Sequence, residues 1–197
     1  WGKEYWQSYL GKYKGYMGYL IEKLASKLPN KIISVSSTTT EGLINKLGAS
    51  RNKTVTIPNG IDINKINSVK PSKEKSDIIF VGRLLSHKNV DLLMESIKIL
   101  KERNKRIKCI IVGDGPEKDK LLSLSKSLGL SNNIFFKGFI KDEKDIYALM
   151  KSSKCFVLSS EREGFGIVAL EANASGIPVV TVQHKNNAAT QLIEEGK

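Results

Sequence analysis

The chain has 197 residues, 40% hydrophobic and 26% charged, enough for one large domain or for one domain with a piece of another. No run approaches the roughly 18 apolar residues that cross a bilayer, and no charged start with an apolar stretch marks a secretory leader, so the sequence reads as cytoplasmic. The formal net charge of +12 calls for an anionic partner, whether nucleic acid, an acidic membrane surface or a phosphorylated ligand, and charge alone does not choose among them.

In chain order, residues 1–28 read as a helix, 31–35 as a strand, 39–47 as a helix and 54–57 as a strand. The opening helix holds Trp1, Tyr5, Trp6, Tyr9, Tyr13, Tyr16 and Tyr19 at spacings of three and four, with Lys3, Lys12 and Lys14 nearby. Such a stripe suits peripheral association with an anionic membrane and a lipid-linked acceptor, or packing against a neighbouring domain. Two strands and two helices make a poor independent domain, so residues 1–62 read as the tail of a preceding one. Residues 63–76, rich in Lys, Asn and Ser, read as a linker.

From residue 77 onward, apolar strand-like runs at 78–81, 107–112, 134–136, 155–158 and 178–182 alternate with helical patterns. Runs this apolar fit strands buried on both faces, as in a parallel sheet. Val90, Leu93, Ile97 and Leu100 repeat at helical spacing behind Asn89, a candidate N-cap. Residues 117–128 form a second helix that Gly129 can end, and 145–151 and 167–175 a third and fourth. The alternation predicts an α/β fold with a doubly wound parallel sheet, whose ligands bind beyond the carboxyl ends of the strands. Cys109 and Cys155 lie in the apolar runs, away from any second ligand at metal spacing, so they read as small hydrophobes and no metal site is expected.

Three turns carry the chemistry. After the fourth of these strands comes the loop 159–166, in which Gly164 and Gly166 let backbone amides approach a ligand at a helix N-terminus suited to phosphate. Glu163 lies in that loop and Glu171 two turns down the helix, a pair of acceptors for sugar hydroxyls. After the first strand, Gly82 opens a turn with Arg83 and Lys88, a guanidinium and an ammonium that can together neutralise a diphosphate. The turn 113–116 is either a tight turn or a ligand contact. The longer Gly-x-Gly-x-x-Gly pattern of dehydrogenases is missing.

The motifs Val81-Gly-Arg-Leu with Lys88-Asn89, Val112-Gly-Asp-Gly-Pro116, Phe136-Lys-Gly-Phe139, Glu163-Gly-Phe-Gly with Glu171, and Gly176-Ile-Pro-Val-Val180 together resemble the group-1 (family 4) retaining glycosyltransferases. The segment 57–62 resembles the end of that family's first domain. The resemblance implies two facing Rossmann-like domains (the GT-B fold): 1–62 the tail of the acceptor-side domain, 63–76 the linker, and 77–197 the donor domain, incomplete at its C-terminus. It also implies a catalytic role for Glu163 near the donor hexose and for Arg83 and Lys88 on the diphosphate. Donor binding falls to Glu171 at the ribose, to Gly164, Phe165 and Gly166 at the distal phosphate, to Gly82 in the first turn, and to Phe139, Ile140 and Asp142 at the base. The expected reaction moves a hexosyl unit from a nucleoside diphosphate sugar to a glycan, glycolipid or lipid-linked hydroxyl, without a metal or other cofactor. A chain so divided is expected to bind donor but not to transfer sugar alone. Gln183 to Asn187 replace a turn that is glycine-rich in many relatives, which weakens any role for His184, and His87 reads as a surface loop residue. A sugar-nucleotide epimerase or phosphorylase of the same architecture, and a basic nucleic-acid-binding module, are the alternatives; no nucleic-acid partner is expected, since aromatics suited to base stacking are few beyond the opening helix.

Overall fold

The computed structural model describes residues 2–194, and its contacts divide the chain into two units, one up to Gly60 and one from Ile61 onward.

In the first unit the opening segment is not one helix. Helix α1 (Lys3–Leu10) and helix α2 (Lys12–Ala25) are separated by Gly11, whose φ of 78° and ψ of 175° lie outside the helical region. The chain folds back there so tightly that a Cβ on Gly15 would stand 2.4 Å from the Trp6 carbonyl oxygen. The indole N–H of Trp6 and the backbone N–H of Gly2 both donate to the Glu22 carboxylate, at 2.8 and 3.0 Å, and clamp the hairpin shut. Both arms have helical spacing, so periodicity alone passes over a break made by one glycine. The aromatic stripe is thereby split. Tyr5 stacks on Tyr9, while Tyr9 and Tyr13 stay 71% and 83% exposed; Trp1 lies outside the described residues. Strand β1 (Ile32–Ser34), helix α3 (Ser37–Leu47) and strand β2 (Thr54–Thr56) complete the unit, with β1 and β2 parallel. The Ser36 hydroxyl caps α3 by accepting the Thr39 N–H.

The second unit begins where a linker was expected. Residues 63–76 instead contain helix α4 (Ile63–Ser68), capped by the Asp62 carboxylate, and the first residue of strand β3 (Ser76–Val81). Ile66 is fully buried, and the Lys151 ammonium donates to the carbonyls of Ile66 and Val69 at 2.7 and 2.9 Å. A helix of six residues on a surface buries a single stripe, so its composition looks like that of a linker.

After β3 come α5 (Val90–Arg103), β4 (Cys109–Val112), α6 (Lys118–Ser127), β5 (Ile134–Gly138), α7 (Glu143–Lys151), β6 (Ser153–Leu158), β7 (Arg162–Glu163), α8 (Ile167–Ala174), β8 (Val179–Thr181) and β9 (Asn186–Asn187). Five strands form a parallel sheet in the order β5-β4-β3-β6-β8. Winding runs outward from β3 to β5, returns to β6 beside β3, and continues to β8, which is the predicted doubly wound arrangement. Alternate strand residues serve opposite faces: Ile78, Phe80, Cys109 and Ile111 pack with α5 and α6, whereas Ile79, Val81, Ile110 and Phe156 pack with α7, α8 and Ile66. Both faces are buried, which is why these strands read as unbroken apolar runs. Both cysteines are free thiols, Cys109 buried and Cys155 partly so.

Helix ends follow local chemistry, with one correction. Gly129 ends α6 with φ 67°, the Leu130 N–H returning to the Ser125 carbonyl and the Gly129 N–H to that of Lys126. Asn89 occupies the N-cap position of α5 but makes no capping side-chain bond; it is left-handed at φ 47°. Asparagine tolerates that conformation, and here it reverses the chain after a 3-10 turn over Ser86–Lys88.

If α4 belongs to the second unit, Ile66→Ala should cost about 2–5 kcal/mol in urea unfolding of that unit. A linker residue at this position would cost within about 0.5 kcal/mol.

Candidate functional site

Winding reverses between β3 and β6, so the turns leaving these two strands diverge and leave a crevice at their carboxyl ends. On the β3 side, Gly82, Gly113 and Gly138 stand at the ends of three adjacent strands. The Gly82 N–H donates to the Val112 carbonyl (3.0 Å) and the Gly113 N–H to that of Gly138 (2.8 Å). A Cβ on Gly113 would lie 1.9 Å from the Gly82 carbonyl oxygen, so only glycine permits this approach. The Leu84 N–H donates to the Asp114 carbonyl and the Glu117 N–H to that of Leu84, interlacing the first two turns. The turn 113–116 is thus first of all a backbone interlock.

Gly82, Gly113 and Gly115 form one wall of a cavity of about 490 Å³, with Arg83 at its edge and Phe139, Ile140 and Ile146 as its apolar side. A wall of bare peptide facing an apolar wall suits a flat heterocycle. Phe139 and Ile140 are where a base was expected; Asp142 does not line the cavity, and its carboxylate instead accepts the Lys144 N–H and caps α7.

On the β6 side the loop 159–166 is tied directly to the turn after β3. The Ser159 hydroxyl donates to the Lys88 carbonyl at 2.8 Å, and the Glu161 N–H donates to the His87 carbonyl at 3.1 Å. Lys88 and Glu163 form an ion pair at 2.5 Å with their side chains only 15% and 11% exposed. Arg83 and Lys88, expected together on one edge, therefore take different stations: Arg83 is exposed at the cavity, and Lys88 faces Glu163. Gly166, with φ 86°, opens α8, and Phe165 is buried, so only its backbone is offered to a ligand. His87 is half-buried; burial, then the neighbouring Lys88 and Arg162 charges, hold its pKa below the ordinary 6.5, so the ring is neutral at pH 7. His184 is half-buried, its Nδ1 accepting the Asn186 N–H.

Glu171, on α8, is half-buried and accepts a hydrogen bond from the Tyr147 hydroxyl on α7 at 2.9 Å. Burial pushes its carboxyl above the ordinary 4.5; the Tyr147 bond opposes this, Glu143 adds to it, and Lys65 on α4 counteracts it. Lys65 itself pairs with Glu143 at 2.5 Å. Burial, and after it the Glu171 carboxylate, push the Tyr147 hydroxyl well above its ordinary range, so it remains a donor. Sequence reasoning did not single out Tyr147 or Ser159, because a tyrosine at helical spacing and a serine after a strand carry no signal until the fold supplies their partners. Among the described residues, no group of three or more His, Cys, Asp or Glu side chains is placed to hold a metal ion.

The family model for glycosyl transferases group 1 matches residues 62–197. The chain is 34% identical over 176 residues to an uncharacterized glycosyltransferase of Methanocaldococcus jannaschii, covering 82% of this chain and 44% of that protein. It is 30% identical over 171 residues to the mannosylfructose-phosphate synthase of Agrobacterium fabrum, covering 78% of this chain and 37% of the relative. Among solved structures, Anabaena HepE in complex with UDP and glucose aligns with a TM-score of 0.74 at 26% identity, over 90% of this chain and 50% of HepE. The chain spans about two fifths of the length of these two curated relatives. A match over more than half of the sequence, on the fold and loops described above, establishes that the chain belongs to the group 1 glycosyltransferase family.

Proposed function

We propose that this chain supplies the donor-binding part of a retaining hexosyltransferase, which moves a hexosyl unit from a nucleoside diphosphate sugar to a hydroxyl of a glycan, glycolipid or lipid-linked acceptor. One observation carries the reading. A cavity with peptide and apolar walls, an exposed arginine at its edge, and a carboxylate loop tied to the same turn all meet where the winding of the sheet reverses. That the Anabaena neighbour holds UDP and glucose supports it.

In this reading the base lies against Phe139 and Ile140, and Glu171 accepts the ribose hydroxyls. Arg83, Lys88 and the N-terminus of α8 face the diphosphate, with the amides of Gly164 to Gly166 at its distal phosphate. As the sugar leaves, negative charge grows on that diphosphate, and these fixed cations and dipoles stabilise it without a metal ion. Lys88 then serves two anions, since Glu163 holds it before the phosphate arrives. Glu163 faces the hexose. The first unit belongs to the acceptor side, and the exposed aromatics of its hairpin meet an anionic membrane on the cytoplasmic face. Among the described residues no helix is long and apolar enough to cross a membrane.

Arg83→Gln should weaken UDP binding by about tenfold or more while leaving uridine binding unchanged, as read by calorimetry. Equal losses for both ligands would point to a folding defect and remove the diphosphate role. Glu171→Gln should have opposite effects on affinity and stability. Loss of the charged acceptor lowers UDP affinity by about tenfold. Because burial raises the carboxyl pKa, the native enzyme is more stable with Glu171 protonated, an advantage present below pH 4.5 and lost as pH rises through the higher folded value. The glutamine variant should therefore melt at a higher temperature than the native chain at pH 7, with the gap closing below pH 4.5. For the membrane, sedimentation with vesicles containing phosphatidylserine at low salt should pull down the chain, and Tyr9→Ser with Tyr13→Ser should abolish it. Equal sedimentation with neutral vesicles, or none with either, would dismiss that part.

A further inference from the structure

The turn after β8 departs from a glycine-rich pattern, and in its place stands a side chain with more hydrogen bonds than its size suggests. Asn187 is 1% exposed. Its amide nitrogen lies within hydrogen-bond distance of the Ser160 carbonyl (3.1 Å), the Thr181 hydroxyl (3.0 Å) and the Val182 carbonyl (2.8 Å), and its amide oxygen accepts the Ala189 N–H (3.1 Å). Thr181 in turn donates to the Leu158 carbonyl. The backbone adds a second tie, because β9 runs parallel to β7 with Glu163 in register with Asn187. A third comes at the far end, where Gly166 packs so closely on Ala189 that a Cβ on the glycine would lie 2.5 Å from the alanine Cβ.

Residues 183–189 therefore form a strap that grips the loop 159–166 near its start, at its middle and at its end. The loop needs one: it contains two glycines, and it must keep the Glu163 carboxylate largely out of water beside Lys88. A buried amide that satisfies both donor and acceptor demands fixes backbone positions more tightly than apolar packing would.

We infer that Asn187 is a positioning residue, whose side chain holds the loop carrying Glu163 and so sets where that carboxylate meets the donor sugar. This rests on the reading of Glu163 as the residue facing the hexose, and the test separates the two. Calorimetry with UDP and with UDP-glucose gives an affinity ratio that compares the donor with and without its sugar. Glu163→Gln should change that ratio, and Asn187→Asp should change it in the same direction by about 3- to 10-fold, the effect of one misplaced hydrogen bond. The double variant should change it no further, because the two act through one contact. Thr181→Val, which removes one of the three acceptors around the Asn187 amide nitrogen together with the hydroxyl donor to the Leu158 carbonyl, gives a second probe if the buried aspartate fails to fold; it should shift the ratio the same way by a smaller factor. Hydrogen exchange provides a readout independent of ligand: amides of 160–166 should exchange faster in either variant, with those of β6 and α8 unchanged.

Faster exchange with an unchanged ratio in Glu163→Gln would overturn the sugar-facing role of Glu163 while leaving Asn187 as the anchor of its loop. Unchanged exchange across 160–166, or equal losses for UDP and UDP-glucose in the Asn187 and Thr181 variants while Glu163→Gln alters the ratio, would overturn the positioning role itself.

Discussion

Everything at the candidate site depends on how two turns that the sheet directs apart are held together. Reversal of winding beside β3 opens a crevice as a matter of topology, but an open crevice is only a gap. Here the turn after β3 and the loop after β6 are joined by two hydrogen bonds to the backbone of His87 and Lys88 and by the Lys88–Glu163 pair. A pair this enclosed gains little net stability for its charges, yet losing either partner would strand the other in a poorly hydrated place. Its effect is to hold the loop in one arrangement, and the other ties to this loop make sense as support for it.

The same logic explains the division of labour around the sheet. The β3–β4–β5 side is made rigid with glycine, through backbone approaches that no Cβ would permit, and it offers shape. The β6 side is made rigid with charge and amide hydrogen bonds, and it offers electrostatics. Glu171 stands between these strategies: burial works against its charge, and a single hydroxyl from Tyr147 offsets part of that cost. Such an arrangement gives up stability for a carboxylate ready to accept hydrogen bonds.

Much of this was legible in the sequence, and the failures are instructive. The five apolar runs identified the parallel sheet because strands buried on both faces leave an unmistakable pattern, and only their ends moved, as where 107–112 shrank to Cys109–Val112. Gly82 fell just past the end of β3, Glu163 at the end of β7 and Gly166 at the start of α8. What periodicity could not reveal was the meaning of isolated polar or small residues. Gly11 breaks a helix that spacing alone continues; Asp142 is spent as a cap; α4 hides in linker-like composition because its one buried side chain, Ile66, is outnumbered by lysines and asparagines. Asn187 is the sharpest case, since an asparagine after a strand looks like a turn residue until its four partners are known.

Burial of both sheet faces also decides what the sulfur atoms can do. Cys109 lies in β4 and Cys155 in β6, and in each burial pushes the thiol above its ordinary 9.0, so neither presents appreciable thiolate near neutrality. These are the two cysteines of the chain. The two thiols of this chain are thus slow toward mild thiol reagents, and a cysteine introduced at an exposed position would react ahead of them. A fluorophore or spin label could then be carried on any loop of the crevice without first removing the natural sulfurs.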